Sequence, residues 1–330
     1  MAGVSCRQGG DITVDAAIGW SSDNKLTFDA AGNIAVNAAI TASGTAPGLA
    51  LKYGQSSTKG AGASYSINAP VTLNSGASFT TQLGSTGTTV SYTILTDATA
   101  LQNINTTGLS GDYVLGSDID LSSIANFTPI GNGTNLFTGQ FDGLGHTISA
   151  LTINRASSNY VGLFGNASNA MLANVGLVDA NVTGQDLVGG LVGCSSNSTI
   201  SNAYATGTIS GSSNVGGLVG NNITGTIRNA YAAAAVSGQT AVGGLVGQNS
   251  NNGTISNAYA TGAATGILGA GAGTGANVGG AVGANDLATI NAASSHGAGW
   301  GDAAGGGRRR ACSGAGTASG AGATVAVTTD

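Results

Sequence analysis

The chain has 330 residues, of which 7% are charged and 5% aromatic, and its 58 glycines are more than twice the usual share of about 7%. Nine Lys and Arg against fourteen acidic residues, all aspartate, give a net charge of −5. This balance argues against a nucleic-acid partner, which needs a dense basic surface. Few strong helix formers are present. The abundant Gly, Asn, Thr, Ser and Val suit short strands joined by tight turns, which predicts an all-β protein.

The first region alternates short apolar runs with turn residues. In residues 10–44, "GDITVDAAIGWSSDNKLTFDAAGNIAVNAAITASG", strands are predicted around Ile12–Val14, Leu26–Phe28 and Ile34–Val36. The pattern continues in residues 69–84, "APVTLNSGASFTTQLG". We therefore treat residues 1–95 as one strand-rich region.

One segment with helical character follows, in the lead-in to the repeats (residues 96–159). It is "ILTDATALQNI", residues 94–104, with Asp97 placed to cap a helix. The remainder of the lead-in, "DYVLGSDIDLSSIANFTPIGNGTNLFTGQFDGLGHTISALTI", returns to short strands and turns.

A Gly-rich block then recurs along residues 160–293. The copies are separated by 28, 27, 27 and 36 residues, and the last step is long because "GILGAGAGTGA" (residues 266–276) is inserted. A second block, "TISNAYATG" or a close variant, keeps the same rhythm. The copies of the first block, "VGLFG", "VGGLVG" three times and "VGGAVG", end at Gly165, Gly193, Gly220, Gly247 and Gly283.

A repeat this short holds only two or three strands, so it cannot bury its own hydrophobic face and must stack on its neighbours. The prediction is a β-solenoid with one coil of about 27 residues per repeat, each coil adding about 4.8 Å. Equivalent residues then form ladders. The predicted ladders are Val188, Val215, Val242 and Val278; Leu191, Leu218 and Leu245; Asn202, Asn229 and Asn257; and Tyr204, Tyr231 and Tyr259.

The ladders have different expected roles. The asparagines are placed to form an amide ladder at a turn. The tyrosines lie between alanines, so strand alternation puts them on the opposite face from those alanines. Paired glycines let the backbone turn a corner, but the pleat cannot be followed through Gly-Gly. The pattern therefore leaves open whether Val or Leu points inward.

The composition changes to Gly, Ala and Arg from about residue 294. We expect residues 294–330 to be a disordered tail, with Arg308–Arg310 a solvated basic run. No apolar run approaches the roughly 18 residues of a membrane-spanning helix. The N-terminus has no signal-peptide pattern. Either the protein stays inside the cell, or the chain is part of a longer protein.

These motifs point to a family. The repeats "NVGGLVGNN…TIRNAYA" resemble the GLUG motif of bacterial surface proteins, and "YVLGSDIDLSS…FTPIG…FTGQFDGLGHTISALTI" is similar to the segment that commonly precedes it. The stretch "GGDITVDAAIGWSSDNKLTFDAAGNIAVNAAITA", residues 9–42, is similar to stretches of filamentous-haemagglutinin-like adhesins, which a partner outer-membrane protein secretes. The resemblance covers about residues 10–293. It implies a right-handed parallel β-helix, two-partner secretion to the cell surface and cell adhesion. The sequence departs from the family pattern in having neither the amino-terminal secretion domain nor a signal, so we expect the chain to be an internal fragment or a truncated gene product.

Few residues indicate chemistry. "VGGLVG" lacks the Gly-Lys-Ser/Thr ending, the following helix and the ribose-binding acid of nucleotide loops, so its recurrence indicates architecture. Asp118, Asp120 and Asp142, with His146, are the best local set for a cation or for acid catalysis. "FDGLGH", however, has the composition of a tight turn, which favours turns and caps over those two alternatives.

The remaining reactive residues are scattered. Cys6, Cys194 and Cys312 have neither metal-site nor disulfide-framework spacing, and Cys194 occupies the repeat position of Asn221 and Gln248. Neither His146 nor His296 has the motif of a catalytic nucleophile beside it. We predict no catalytic, cofactor-binding or metal-binding residues and no cofactor. For the tyrosine ladder, packing is favoured over a stripe that binds sugars or proteins.

The sequence thus predicts a non-enzymatic stalk and adhesive segment of a secreted or surface-exposed bacterial haemagglutinin-like adhesin. Its expected partners are glycans or proteins on a host or neighbouring cell and, for the full-length protein, an outer-membrane transporter. The first alternative is a structural spacer for a distal protease or toxin. The second is a carbohydrate-active β-helix enzyme that uses Asp118 or Asp142.

Overall fold

The structure, a computed structural model, describes residues 4–267, 277–295, 299–302 and 308–311. Strands account for 55% of it and helices for 4%, and the strands stack as parallel coils of a β-solenoid with about 28 residues per turn. The predicted all-β solenoid is confirmed. The described residues divide into two compact units: unit 1 contains residues 4–101, 111–119 and 140–147, and unit 2 contains residues 102–110, 120–139 and the described residues from 148 onward.

Unit 1 winds its strands into three parallel ladders of uneven spacing. Ile12 pairs with Ile34, and Ile34 pairs with Tyr65, so successive coils are 22 and then 31 residues long. Alternating inward side chains, such as Phe28, Leu49 and Phe79, fill the interior. The strands predicted at Ile12–Val14 and Ile34–Val36 are present with those bounds.

The strands in the first part of the chain are β1 Val4–Gln8, β2 Ile12–Val14, β3 Ile18–Trp20, β4 Lys25–Ala30, β5 Ile34–Val36, β6 Ile40–Ala42, β7 Gly48–Tyr53, β8 Tyr65–Ile67, β9 Val71–Leu73, β10 Ser78–Leu83, β11 Thr89–Leu95, β12 Asp112–Leu115, β13 Ile119–Asp120, β14 Gln140–Asp142 and β15 Thr147–Ser149.

The coils of unit 2 are more regular in length than those of unit 1. The repeats of unit 2 pair in the register that the sequence predicts. Val188, Val215, Val242 and Val278 align across four parallel strands at steps of 27, 27 and 36 residues. The long step confirms that the extra residues between Val242 and Val278 leave the register intact, although residues 268–276 lie outside the described part. The remaining strands are β16 Thr152–Asn154, β17 Phe164–Ser168, β18 Met171–Ala173, β19 Gly176–Thr183, β20 Asp186–Gly189, β21 Val192–Ser196, β22 Thr199–Ser201, β23 Tyr204–Ser210, β24 Ser213–Gly216, β25 Val219–Ile223, β26 Thr226–Gly238, β27 Thr240–Gly243, β28 Val246–Ser250, β29 Thr254–Ala260, β30 Ala264–Gly266, β31 Val278–Gly279, β32 Val282–Asp286, β33 Thr289–Ser295, β34 Gly299–Asp302 and β35 Arg308–Ala311.

The Gly-Gly corner explains why both ladders of the repeat are inside. Val215 and Leu218 are both fully buried, and so are their equivalents in the two neighbouring coils. The chain turns at Gly216–Gly217 between them, so the strands before and after the corner each point one apolar side chain inward. A Cβ on Gly217 would collide with the carbonyl oxygen of Gly244 in the next coil. The pleat that the sequence left open is thus resolved, with Val and Leu both inward.

Three short helical segments interrupt the strands: the helices α1 Ala98–Gln102 and α2 Ile104–Thr107 and a 3₁₀ turn at Gly60–Gly62. The predicted cap is present, since the Asp97 carboxylate accepts a hydrogen bond from Ala100 N–H at 2.8 Å.

The predicted tail, residues 294–330, is described only in part. The strand Thr289–Ser295 reaches into it, and the strands Gly299–Asp302 and Arg308–Ala311 pair with each other antiparallel. His296 and Cys312 lie outside the described residues.

Candidate functional site

The tyrosine ladder forms a stack on the outer side of unit 2. Tyr204 and Tyr231 lie with ring centroids 4.8 Å apart and planes within 4°, and Tyr231 and Tyr259 repeat this at 5.0 Å and 5°. These spacings equal the distance between neighbouring strands, so the backbone register alone places the rings. Ala203 and Ala205 beside them are buried, as strand alternation predicts. Tyr259 is 40% exposed, and Tyr204 and Tyr231 are half-buried, so the stack presents part of its ring surface to solvent.

An asparagine ladder accompanies the stack two residues earlier in each coil. The Nδ2 of Asn202 donates to Oδ1 of Asn174 at 2.9 Å, Asn229 donates to Asn202 at 3.2 Å, and Asn257 donates to Asn229 at 3.4 Å. All four residues have φ between 48° and 55°. Asparagine tolerates this left-handed conformation better than most residues, which explains why the turn uses it. We call Asn202, Asn229, Asn257, Tyr204, Tyr231 and Tyr259 the outer strip.

A second asparagine ladder, inside the coils, was missed by the sequence reasoning. Asn222 donates to Asn249 at 2.8 Å and Asn249 donates to Asn285 at 2.9 Å. Asn222 and Asn249 are fully buried. The signal was present in the sequence, since these residues recur with the same 27- and 36-residue steps as the valines. We call Asn222, Asn249 and Asn285 the inner ladder.

Each amide of the inner ladder also holds a turn in its own coil. Nδ2 of Asn222 donates to the carbonyl of Gly225 at 3.0 Å, and Nδ2 of Asn249 donates to that of Gly253 at 3.1 Å. Buried amides need such partners, because an unpaired one costs about 1–3 kcal/mol. The inner ladder therefore stabilises the coils, whereas the outer strip leaves its polar groups accessible.

The aspartates proposed as a cation or acid set have separate local partners. Oδ1 of Asp118 accepts a hydrogen bond from Thr147 N–H at 2.8 Å and lies 3.2 Å from Nδ1 of His146. Partial burial raises the pKa of Asp118, but the Thr147 bond and the nearby His146 outweigh it, so the pKa falls below its usual value. Asp120 instead binds Ser122, two residues along the chain.

Asp142 is buried and serves a turn. It accepts hydrogen bonds from Leu144 N–H at 2.8 Å and from the Tyr65 hydroxyl at 2.7 Å. Leu144 and Gly145 have φ of 49° and 81°, which makes "FDGLGH" the tight turn that its composition predicts. Burial, followed by the charge of Asp142, raises the pKa of Tyr65 well above its usual value.

Cys194 lies where the repeat predicts it. Its register partner in the next coil is Asn221, which in turn pairs with Gln248. The side chain is buried, and burial raises the pKa of its thiol, which makes it a weak nucleophile. Cys194 therefore packs as a substitution in a ladder.

The part of the chain that the structure describes contains neither a metal-binding cluster nor a membrane-spanning helix. No group of three or more His, Cys, Asp or Glu side chains is arranged to hold a metal ion within the described ranges. The helices in that part of the chain are too short or too polar to cross a membrane.

The fold and its ladders define a class, a β-solenoid built from short Gly- and Asn-rich repeats. Within it, residues 184–210, 211–237 and 238–265 match the family model described as the GLUG motif. The chain therefore carries three consecutive GLUG motifs, and the resemblance inferred from the repeats is confirmed. The haemagglutinin-like character of residues 9–42 stays a prediction.

Two relatives share parts of the sequence. Halomucin of Haloquadratum walsbyi is 39% identical over 171 residues, covering 44% of this chain and 2% of halomucin. A protein of Evansella cellulosilytica assigned as a Gly-rich membrane protein is 33% identical over 120 residues, covering 33% of this chain and 14% of that protein. The chain thus spans a small fraction of the length of these relatives.

A solved structure shares the fold. The crystal structure of a Bacteroides ovatus protein assigned as an immunoglobulin A1 protease superposes with a TM-score of 0.55 and 26% identity. The match covers 63% of this chain and 67% of that one.

Proposed function

We propose that this chain is the non-enzymatic stalk and adhesive segment of a secreted, surface-exposed bacterial protein. The observation that carries the proposal is the outer strip, in which three parallel tyrosines and three hydrogen-bonded asparagines repeat at the strand spacing. The three GLUG motifs support the same role, since they stack in register as parallel coils.

The strip suits a partner that is itself repetitive. Tyrosine combines apolar area with a hydroxyl and loses little conformational freedom on binding, which is why it is enriched at interfaces. The asparagine amides beside it add donors and acceptors without charge. A row of such weak contacts gains strength by acting together, as linked sites do. The proposed partners are glycans or proteins on the surface of a host or neighbouring cell.

The test compares three versions of the full chain. In the first, Tyr204, Tyr231 and Tyr259 are all changed to Ser; in the control, Gln185, Ser212 and Gln239, a column of polar residues directly before β20, β24 and β27, are all changed to Ala. Binding of fluorescent protein to epithelial and bacterial cells should fall at least tenfold for the tyrosine variant and stay unchanged for the control. Equal binding by all three versions, or no binding by the unchanged chain, would contradict the proposal.

The second candidate is a spacer that carries a distal effector such as a protease or toxin. It is favoured by the likeness to the Bacteroides ovatus structure assigned as an immunoglobulin A1 protease. A spacer would bind no cells, and the continuous reading frame would encode an effector domain. Sequencing the complete gene, together with the binding assay, separates the two roles.

Export is part of the proposal. A partner transporter in the outer membrane would deliver the full-length protein to the surface. Antibodies against this chain should label intact cells, and deletion of the transporter gene should abolish that labelling. Labelling only after the cells are permeabilised would contradict surface exposure.

A further inference from the structure

A cleft of about 700 Å³ lies in unit 2, outside the outer strip. Its walls come from the end of α2, from residues 128–135 and from residues 155–161. Binding sites for small molecules commonly have volumes of about 300–1,000 Å³, so the cleft is large enough for a sugar unit or two.

The walls of this cleft carry a positive charge and no negative one, whereas the chain as a whole has a net charge of −5. Arg155 is the one ionisable cation of the cleft, and no aspartate contributes to its walls. The Nη2 of Arg155 donates a hydrogen bond to Oγ1 of Thr128 at 2.9 Å. The guanidinium has no acidic partner among the described residues. Its Nε is buried and has no hydrogen-bond partner. A partly buried cation without an anion is costly, which makes the cleft electrostatically ready for a negative ligand.

The wall beside Arg155 is held in place before any ligand arrives. Gln102 makes two hydrogen bonds to the backbone of Thr128, both of 2.9 Å. Asn105 binds the carbonyl of Pro129 at 3.1 Å and the N–H of Gly131 at 2.9 Å. These contacts fix the loop that orients the guanidinium, and such preorganisation reduces the entropy lost on binding.

The segment that carries Arg155 also supplies an aromatic ring. Tyr160 lines the cleft with φ of 60°, a strained conformation for tyrosine, and its ring packs against Gly133, where a Cβ would lie 2.9 Å from it. Strain of this kind costs about 1–3 kcal/mol and is concentrated at binding and functional sites. The ring offers a flat apolar surface beside hydroxyl and amide groups, which is how proteins contact sugar rings.

We propose that this cleft binds an acidic saccharide through its carboxylate, with Arg155 as the charged anchor and Tyr160 against the sugar ring. One arginine matches one carboxylate, and its planar guanidinium forms paired hydrogen bonds to that group. Phosphate commonly takes more cations or a helix N-terminus, and α2, with four residues, is too short to supply one. Exposed amides and hydroxyls on the rest of the wall, such as Asn132 and Asn135, suit the hydroxyls of a sugar. The site shares no residue with the outer strip, so it goes beyond the adhesive role proposed above.

The test is calorimetric titration of the full chain with trigalacturonate, a hyaluronan tetrasaccharide and sialyllactose. The methyl ester of the best-binding sugar keeps its shape without the charge, and inorganic sulfate tests for simple anion binding. The variants are Arg155→Gln and Arg155→Lys, with Arg228→Gln as the matched control, because Arg228 is exposed in the repeats and its loss changes the net charge equally. Thermal unfolding of each variant confirms that it is folded.

At least one acidic sugar should bind the unchanged chain and Arg228→Gln alike. Its affinity should fall at least tenfold with Arg155→Gln or with the methyl ester, and should recover in part with Arg155→Lys. The proposal is overturned if none of the sugars binds, if folded Arg155→Gln binds as well as the unchanged chain, or if the ester or sulfate binds as tightly as the acid. Loss of this binding with intact cell adhesion, or the reverse, separates the cleft from the outer strip.

Discussion

The inner and outer sides of the same coils in unit 2 use one residue type for opposite purposes. Asparagine stacks at the strand spacing on both sides, but Asn222 and Asn249 are fully buried while Asn229 and Asn257 are exposed. The inner amides each hold a backbone carbonyl as well as the next amide, and the outer amides bind chiefly one another. The hydrogen-bond donation also runs in opposite directions along the chain, forward inside and backward outside.

The difference shows that the spacing of a ladder in the sequence does not reveal how much the ladder contributes to the free energy of unfolding. Hydrogen bonds contribute only about 0.5–1.5 kcal/mol net where water can replace them, but a buried group left without its partner costs more. The inner side therefore determines whether the coils stack. The outer side is free to vary for recognition, and four predictions test that division.

The largest effect is expected from matched substitutions in the two ladders. Asn249→Asp removes both hydrogen-bond donations of a buried amide and brings a carboxylate against the Gly253 carbonyl, which should lower the free energy of unfolding by about 3–5 kcal/mol. Asn229→Asp changes an exposed turn residue, and Asp also tolerates its left-handed φ, so about 0.5–1 kcal/mol should be lost. Urea unfolding at pH 7 measures both. Equal losses at the two positions would contradict the inner–outer division.

The corner glycine comes next. Gly217→Ala puts a methyl group against the carbonyl of Gly244, and this contact is with backbone, which cannot move aside as a side chain would. The expected loss is about 2–3 kcal/mol. Thr208→Ala, an exposed position of the preceding repeat, should change stability by less than about 0.5 kcal/mol. If Gly217→Ala unfolds at the same urea concentration as Thr208→Ala, the corner packing described above is incorrect.

A smaller loss is expected from the tyrosine stack. Tyr231 has a ring on each side, so Tyr231→Ala should cost about 1 kcal/mol, since an aromatic pair contributes about 0.5–1.5 kcal/mol. Tyr259→Ala removes one stacking contact and should cost about half as much. Thermal and urea unfolding of the two variants give the ratio. A loss as large as that of Asn249→Asp would mean that the stack is a structural element of the coils.

The smallest effect concerns alkaline pH. Burial, with the neighbouring phenols of Tyr204 and Tyr259, raises the pKa of Tyr231 above its usual value of 10.0. The folded chain thus favours the neutral phenol, so this contribution to stability is complete below the unfolded pKa and is lost as pH rises through the folded value. Tyr231→Phe keeps the ring without the hydroxyl. Its unfolding free energy should decline less between pH 9 and 11 than that of the unchanged chain, and an identical decline would refute the role of Tyr231.

Much of the repeat region could be predicted from the sequence because solenoid coils repeat their register. The 27-residue spacing located the valine, leucine, tyrosine and outer asparagine ladders and the position of Cys194. Alternation along a strand then placed Tyr231 outside and its alanine neighbours inside. Such local rules hold where each residue contacts its own equivalent in the next coil.

The rest depended on features that spacing does not encode. Asparagine is mostly exposed in proteins, so the buried position of Asn249 is not evident until the strands around the Gly-Gly corner are oriented. Tyr65 and Asp142 meet although they are 77 residues apart. The Arg155 cleft likewise combines segments from residues 105 to 161, and no motif joins them. Contacts between unlike residues of distant coils leave no periodic signal.

The central claim is that the outer strip binds cells whereas the inner ladder stabilises the coils. Its most direct test plots cell binding against the free energy of unfolding for the variants of both. We expect the variant with Tyr204, Tyr231 and Tyr259 changed to Ser to lose binding at least tenfold. Asn249→Asp, at a temperature where it remains folded, should keep binding despite its lower stability. Binding that simply decreases in step with stability across all variants would contradict it.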